Sequence, residues 1–468
     1  MTRITRILAV PAVGAYYYED LTALQSNPIP LAERYTAAPV TPGFRAVREE
    51  AEAVSVGLVL DTGQVAWGDC VAVAYSGKAG RDPVFRAQDG LATIQRVVAP
   101  LLQDREITAF RELAGEVDDL IESVEVIKPL PQPPGMTRRD LLTAPARLWR
   151  AAREEEAPHP TPVERVTVER KLHTAVRYGV SQALLRAVAL TRGVTMAEVI
   201  TEEWDLPLPD APVPIHAQSG SERYHNADKM IVRRVASLPH ALVDDIPEQL
   251  GADSVELIRY VRWLRKRIRE LGGPRDSYRP TIHLDMHGAL GQIFENDPST
   301  GSGPSLGRVL GQIYALEAAA RPYPLRIECP VMMESRKAQI EAMKTLREYV
   351  SFRKMKVQLV VDEWANTLDD IRAFVDAQAA GVIQIKMPDL GSVHNSVEAV
   401  LACQAGGVGA FLGGSCCETD LSAKVAVHVA LATQPDIIMA KPGMGVDEGI
   451  MLVQNEMART LAWIRARG

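Results

Sequence analysis

The sequence predicts an α/β protein in which a β/α barrel follows an α+β domain. Two observations carry this. From about Val213, short apolar runs recur with helical stretches between them: VPIHAQ, TIHLDMHG, LRIECP, VQLVVDEW, VIQIKMPDL, GAFLGGS and IIMAKPG. Before Val213, strand-like and helix-like stretches follow one another without that rhythm. The stretch 205–450 is close to the usual barrel length.

The chain has 468 residues, enough for two or three domains. Apolar residues make up 47% and charged residues 24%, which allows a sizeable packed core and excludes general disorder. A net charge of −7 argues against a nucleic-acid partner, which a basic excess or stripe would announce. It leaves an anionic small-molecule substrate open, because a metal or a few local cations suffice to hold one. The start, MTRITRILAVPAVGAYYYEDL, has a short apolar stretch that soon meets acids, unlike a signal peptide. No apolar run reaches bilayer-spanning length, so no membrane partner is expected. Five cysteines at irregular spacing suggest neither a disulfide framework nor a CxxC metal site, and point to a reduced, cytoplasmic location.

In the first part, Ser55–Leu60 reads as a strand, Asp61-Thr62-Gly63 as a turn, and Gln64–Trp67 as the returning strand. Helical patterns follow from Arg86 to about Leu102 and from Arg111 to Val124. From about 127 to 165 the pattern breaks into IKPLPQPPGM and REEEAPHPTP, with an amphipathic helix expected between them over Arg138–Glu156. This reads as an inserted surface segment, either a plain solvated excursion or a lid or subunit contact.

Acids close three successive apolar runs. Asp285 ends TIHLD, Glu328 ends LRIE and Asp362 ends VQLVVD, at intervals of 43 and 34 residues, about one βα unit each. Carboxyl ends of neighbouring barrel strands converge at the barrel mouth. Three carboxylates gathered there repel one another unless a cation neutralises them, and all-oxygen donors suit Mg²⁺. Any one such acid equally suits a helix cap or a turn; three in sequence shift the balance. The next run, VIQIK, ends at Lys386. Beside a divalent cation and partly buried, its pKa should fall toward neutrality, as a general base requires. A surface lysine, or a salt-bridge partner of one carboxylate, is the plain alternative. Gln384 shares its side of the strand and is placed to hydrogen-bond a substrate.

His240, in LPHALVDD after the first barrel strand, is placed to reach the mouth from the side opposite Lys386, although a lone histidine among apolar residues is ordinarily structural. Gln218 ends the first barrel strand and is a candidate carboxylate ligand. GGSCCET near Gly413 is a glycine-rich turn after the seventh strand, whose N–H groups suit an anion.

PIHAQSGSERYHNADKM, LPHAL, HLDMHG, LRIECP, VVDEWANT, QIKMPDLG, GGSCCET and AKPGMGVDEG resemble the signature stretches of methylaspartate ammonia-lyases, as do GDCVAVAYSG, GRDP and LHTAVRYGVSQA. The resemblance covers most of the chain, interrupted around 127–165. It implies an enolase-like fold, with an N-terminal α+β capping domain over residues 1–204 and a modified (β/α)8 TIM barrel over 205–468. It assigns Asp285, Glu328 and Asp362 to Mg²⁺, Lys386 to the base for the (3S) proton and His240 to a second acid/base on the other face. It assigns Gln218, Gln384, Ser415 and Cys416 to substrate binding. It also implies a homodimer and K⁺ as a monovalent activator. The reaction implied is removal of the C3 proton beside a Mg²⁺-held carboxylate and loss of the C2 amine, giving mesaconate or a related fumarate.

Three positions depart from the family pattern. Ala74 stands where a glutamine is usual, Met439 where a leucine is usual and Ser415 where a threonine is usual. Ala74 and Met439 fall at positions that line the substrate pocket in the family; Ala74 removes an amide and leaves space, so the leaving amine or the 3-substituent is expected to be larger here, while Met439 could narrow what Ala74 opens. Two rivals stand beside this reading. A racemase, epimerase or dehydratase uses the same scaffold, since fold does not fix reaction. A non-catalytic binding protein with a decayed site would normally have lost at least one of the five catalytic and metal residues, all of which are present.

Overall fold

The chain begins with a long strand, β1 (Ile4–Glu19), in a stretch that its sequence marked only as briefly apolar. β1 pairs antiparallel with β2 (Arg48–Leu60), and β2 with β3 (Val65–Cys70), to give a three-stranded sheet. The β2–β3 connection is the hairpin expected at Asp61-Thr62-Gly63. Gly63 takes φ +82°, a left-handed conformation open to glycine, and its N–H donates to Leu60 O. This computed structural model describes residues 2–26, 29–129, 163–220, 222–274, 277–294, 303–441 and 443–467. The proline-rich stretches and the Arg138–Glu156 helix expected between 127 and 165 fall largely or wholly outside them.

One helical expectation is shortened. The Arg111–Val124 pattern forms a helix only over Phe110–Asp118. Beyond it the apolar period changes from helical to alternating, and Ile121–Pro129 becomes β4, paired antiparallel with β5 (Val163–Lys171). The described chain forms two compact units, residues 1–118 with 173–468, and residues 119–172 around the β4–β5 hairpin.

In the larger unit the three-stranded sheet lies on the helix Thr174–Arg192, most of whose residues are buried. Two glycines set the approach. A Cβ on Gly68 of β3 would lie 2.2 Å from Gly179 O, and one on Gly179 would lie 2.4 Å from the Cys70 backbone nitrogen. His173 caps this helix, its Nδ1 accepting from Ala175 N at 3.1 Å.

Eight parallel strands then close into a barrel in chain order: β6 (Ile215–Ala217), β7 (Ser237–His240), β8 (Thr281–Asp285), β9 (Leu325–Glu328), β10 (Val357–Val361), β11 (Val382–Ile385), β12 (Gly409–Leu412) and β13 (Ile437–Ala440). Seven coincide with the apolar runs of the sequence. The eighth, β7, lies in a stretch whose sequence reads only as a segment following the first barrel strand. Its SLPH sequence is short, contains a proline and has no β-branched residue, so it carries little strand signal of its own. Pairing with β6 and β8 makes it a strand. Inward-facing His216, His283 and Phe411 stack in the barrel, with ring centroids 4.6 to 5.5 Å apart. Val360, Val382, Ile437 and Met439 pack with Phe411. All five cysteines are free thiols, and among the described residues no helix is long and apolar enough to cross a membrane.

Gly179→Ala is expected to destabilise the protein by roughly 1–3 kcal/mol through overpacking against β3. Urea unfolding reads this directly, and an unchanged midpoint would mean that the sheet and helix can separate without cost.

Candidate active site

Chemistry-bearing side chains gather at the carboxyl ends of the barrel strands. Side chains alternate along a strand, so the inward series on β8 is His283 then Asp285, and on β11 Val382, Gln384 then Lys386. Asp285 and Glu328 are direct neighbours in the β8–β9 register. Asp285, Glu328 and Asp362 are at most 4% exposed. His240 ends β7 and Lys386 follows β11, four strands apart in a ring of eight, and the three acids stand on the strands between them.

Each acid has its own partner. Asp285 Oδ2 is 3.3 Å from His240 Nε2. Glu328 accepts from His283 Nε2 at 2.6 Å and from the Gln384 amide. Asp362 Oδ2 accepts from Lys386 Nζ at 2.6 Å, and its Oδ1 is 3.6 Å from Arg81. Burial and the charges of Asp285 and Asp362 push the Glu328 carboxyl well above the usual range. Asp285 is held low: burial opposes this, but the His240 hydrogen bond and the charges of His240, His287 and Lys386 outweigh it.

Lys386 departs from the expected depressed pKa. Burial favours its neutral amine, but Asp362, Glu363 and Asp389 outweigh burial and favour the ammonium. The expectation assumed a cation neutralising the acids; against uncompensated carboxylates the lysine is itself their counter-charge.

A second layer of charge lies around the acids. Arg81, from the N-terminal GRDP stretch, reaches into the mouth. It donates to Glu363 at 2.7 Å and to Asp389 at 2.8 Å. Burial opposes the guanidinium charge, but these acids hold Arg81 well above its usual range. Glu363 is pulled down to about 2, burial being outweighed by Arg81, Lys386 and His287. Sequence order gives little sign that Arg81 faces residues about three hundred positions away. His216 and His283 did carry a signal, since each precedes a predicted site residue by two and so faces the same side.

Of the predicted substrate contacts, Gln218 and Cys416 line a cavity of about 730 Å³, together with Tyr16, Tyr75, Arg223 and His287. Gln384 is engaged with Glu328, on the acid side of the mouth. Ser415 and Ala74 are joined, Ala74 N donating to Ser415 O at 3.0 Å. Ala74 and Met439 are not among the residues lining the cavity; the neighbouring Tyr75 lines it instead. Met439 stands level with His216, in the barrel core below the mouth. Several non-glycine residues around the mouth adopt left-handed φ: His240 (+70°), His287 (+48°), Cys329 (+41°), Trp364 (+67°) and Cys416 (+68°). Such strain gathers where a site fixes its side chains.

Among the described residues, the three acids expected to hold a metal do not bring their ligand atoms all within 4.8 Å of one another. Asp285, Glu328 and Asp362 offer oxygens from three adjacent strands, and the burial and charge crowding that raise Glu328 are what a small hard cation offsets. Among the described residues, His240, His283 and Glu328 present ligand atoms within 4.8 Å of one another, a nitrogen-rich set suited to softer ions.

A parallel barrel with acids, a lysine and a histidine at the carboxyl ends of its strands defines an enolase-like barrel protein. Muconate lactonizing enzyme from Pseudomonas putida has this fold (TM-score 0.56, 14% identity, 92% of this chain and 84% of that one). The model for the methylaspartate ammonia-lyase C-terminus matches residues 207–466, and that for the N-terminus matches 2–132 and 148–205. The chain belongs to the methylaspartate ammonia-lyase family. It is 43% identical to methylaspartate ammonia-lyase 2 of Carboxydothermus hydrogenoformans, over 100% of this chain and 99% of that one. Similar solved structures are the Mg complex of β-methylaspartase from Clostridium tetanomorphum (TM-score 0.81, 40% identity, 100% of both chains), and the Citrobacter amalonaticus methylaspartate ammonia-lyase containing (2S,3S)-3-methylaspartic acid (TM-score 0.84, 39% identity, 99% of this chain and 100% of that one).

Arg81→Met would leave Glu363 and Asp389 buried without their cation. It is expected to cost about 3–5 kcal/mol of stability, read by urea unfolding. A variant as stable as the parent would show that water or rearrangement replaces the guanidinium.

Proposed function

We propose that this chain is a carbon–nitrogen lyase that eliminates ammonia, or a small amine, from 3-methylaspartate or a related 3-substituted aspartate. The observation that carries this is the placing of Lys386 and His240 on opposite walls of the mouth, with Asp285, Glu328 and Asp362 on the strands between. A substrate held there presents one face of its C3 carbon to each.

Asp285, Glu328 and Asp362 are the residues that would hold Mg²⁺, which leaves His240 for proton transfer. Bound there, the cation neutralises the acids and stabilises negative charge building on a substrate carboxylate. Lys386 Nζ takes the C3 proton. The electrons of that C–H bond form the C2–C3 double bond, and the C2–N bond breaks with its pair leaving on nitrogen. To act as a base Lys386 must be a neutral amine, so the charge of Asp362, 2.6 Å away, has to be engaged elsewhere first. His240 handles the proton on the opposite face, for the other diastereomer or in the reverse addition. Gln218, Gln384, Ser415 and Cys416 orient the substrate carboxylates. K⁺ assistance, a homodimer, a cytoplasmic location and a cap formed by residues 1–204 over a barrel of 205–468 belong to the same reading. Ala74 and Met439 tune the pocket from behind its wall, and a larger amine or 3-substituent fits the cavity beside Gln218. The racemase or dehydratase reading draws no comparable support, because the family resemblance runs along the whole chain.

Mixed with (2S,3S)-3-methylaspartate, Mg²⁺ and K⁺, the protein is expected to form an alkene absorbance and release ammonia. Lys386→Ala should lower kcat by about 10²–10⁴-fold while still binding Mg²⁺. Racemisation or water loss without ammonia would sink the lyase reading. For the size of the amine, the N-methyl analogue is expected to turn over at a rate comparable to the parent substrate, measured side by side; a strong preference for the unsubstituted amine would remove that part of the proposal.

A further inference from the structure

One buried lysine has no part in the chemistry above. Lys441 follows β13 and continues its inward series of Ile437 and Met439, so it stands at the mouth beside the glycine-rich turn after β12. It is 2% exposed, and its Nζ donates to Gly413 O at 2.9 Å. Burial draws its pKa below the usual lysine range, against the opposing charge of Glu418. A charged side chain in such a place is costly unless something there needs it.

What it touches is the turn carrying Ser415 and Cys416, and that turn is fixed from several directions. Gly413 N donates to Ile385 O at 3.0 Å. Gly413 also lies against Gln384, where a Cβ would come 2.3 Å from the amide oxygen. Ser415 N donates to the buried Glu418 carboxylate, and Ser415 O accepts from Ala74 N. Ser415 Oγ accepts from Cys417 N at 3.2 Å, which leaves its own proton to donate elsewhere. Gly443 closes on the far side, where a Cβ would come 2.2 Å from Cys416 O. Cys416 holds φ +68° and lines the cavity beside Gln218. None of these bonds engages the N–H groups of Gly414 or Cys416. Lys441 and Glu418 thus hold the turn, one on a carbonyl and one on an N–H, with opposite charges.

We propose that Lys441 and Glu418 are positioning residues: they set the Gly413–Cys416 turn so that the Cys416 N–H and the Ser415 hydroxyl meet a carboxylate of the substrate. The inference rests on the lyase reading for its substrate. Lys441 then acts on carboxylate binding only through the turn it holds, and takes no part in proton transfer.

The test compares Lys441→Met, Lys441→Arg and Glu418→Gln with the parent in three measurements. These are steady-state kinetics with (2S,3S)-3-methylaspartate, calorimetric binding of mesaconate with Mg²⁺ present, and calorimetric binding of Mg²⁺ alone. Lys441→Met is expected to raise KM and the mesaconate Kd by about tenfold or more, the loss of one buried charged hydrogen bond. Its kcat should stay within about threefold and its Mg²⁺ affinity should not move, which a general loosening of the barrel would not allow. Lys441→Arg should recover part of the loss, and Glu418→Gln should move KM and Kd in the same direction as Lys441→Met. Unchanged KM and mesaconate affinity in Lys441→Met would overturn the proposal, as would a collapse of kcat together with Mg²⁺ binding. If Lys441→Met does not fold, Glu418→Gln decides on the same two quantities. A parent that binds mesaconate without turning over methylaspartate would sink the lyase reading and leave this one to the binding data. A parent that binds no mesaconate overturns both.

Discussion

Buried negative charge at the barrel mouth is the constraint on which the rest of this structure depends. Asp285, Glu328, Asp362, Glu363 and Asp389 are all within 6% of full burial. Carboxylates so placed repel one another and lack water to solvate them. The fold answers with a small set of positive or donating groups: Arg81, Lys386, His240, His283 and Gln384. Such a network adds little net stability compared with an apolar core, and removing one member is costly. Its worth lies in function, because it holds a base, an acid and a cation-binding set in one place.

The same constraint explains why the N-terminal part and the barrel act as one structure. Arg81 comes from the first hundred residues, yet its partners lie beyond β10 and β11. Ala74 closes on Ser415 across the same junction, and Cys417 Sγ lies 3.8 Å from Tyr17 O. Neither part alone has a complete mouth. The rim also carries non-glycine residues in left-handed backbone, among them His240 and Cys416.

The histidines show how one residue type divides its roles. His216 and His283 sit deep in the barrel, where burial and neighbouring imidazoles push both well below the ordinary histidine pKa, so both are neutral. They act as hydrogen-bonding spacers: His216 reaches Ser237 Oγ at 3.0 Å and His240 Nδ1 at 3.3 Å, and His283 reaches Glu328. His240 is the member that meets Asp285 at the mouth. This stack beneath it fixes the orientation of its ring.

The sequence by itself determined the barrel, seven of its eight strands, and the acids and lysine at their ends. It could do so because a buried parallel strand is a continuous apolar run, and a polar residue closing that run has only the mouth to face. It also determined the family, through long matched stretches. It did not show β7, because SLPH has no strand signal until β6 and β8 pair with it. It did not show Arg81 against Glu363 and Asp389, or Lys441 beneath the Gly413 turn, because those partners come together only when the chain closes on itself. The direction of the Lys386 pKa was likewise a tertiary matter: a titrating group answers to the sum of charges around it, and that sum includes Asp362, Glu363, Asp389 and an arginine from the other end of the chain.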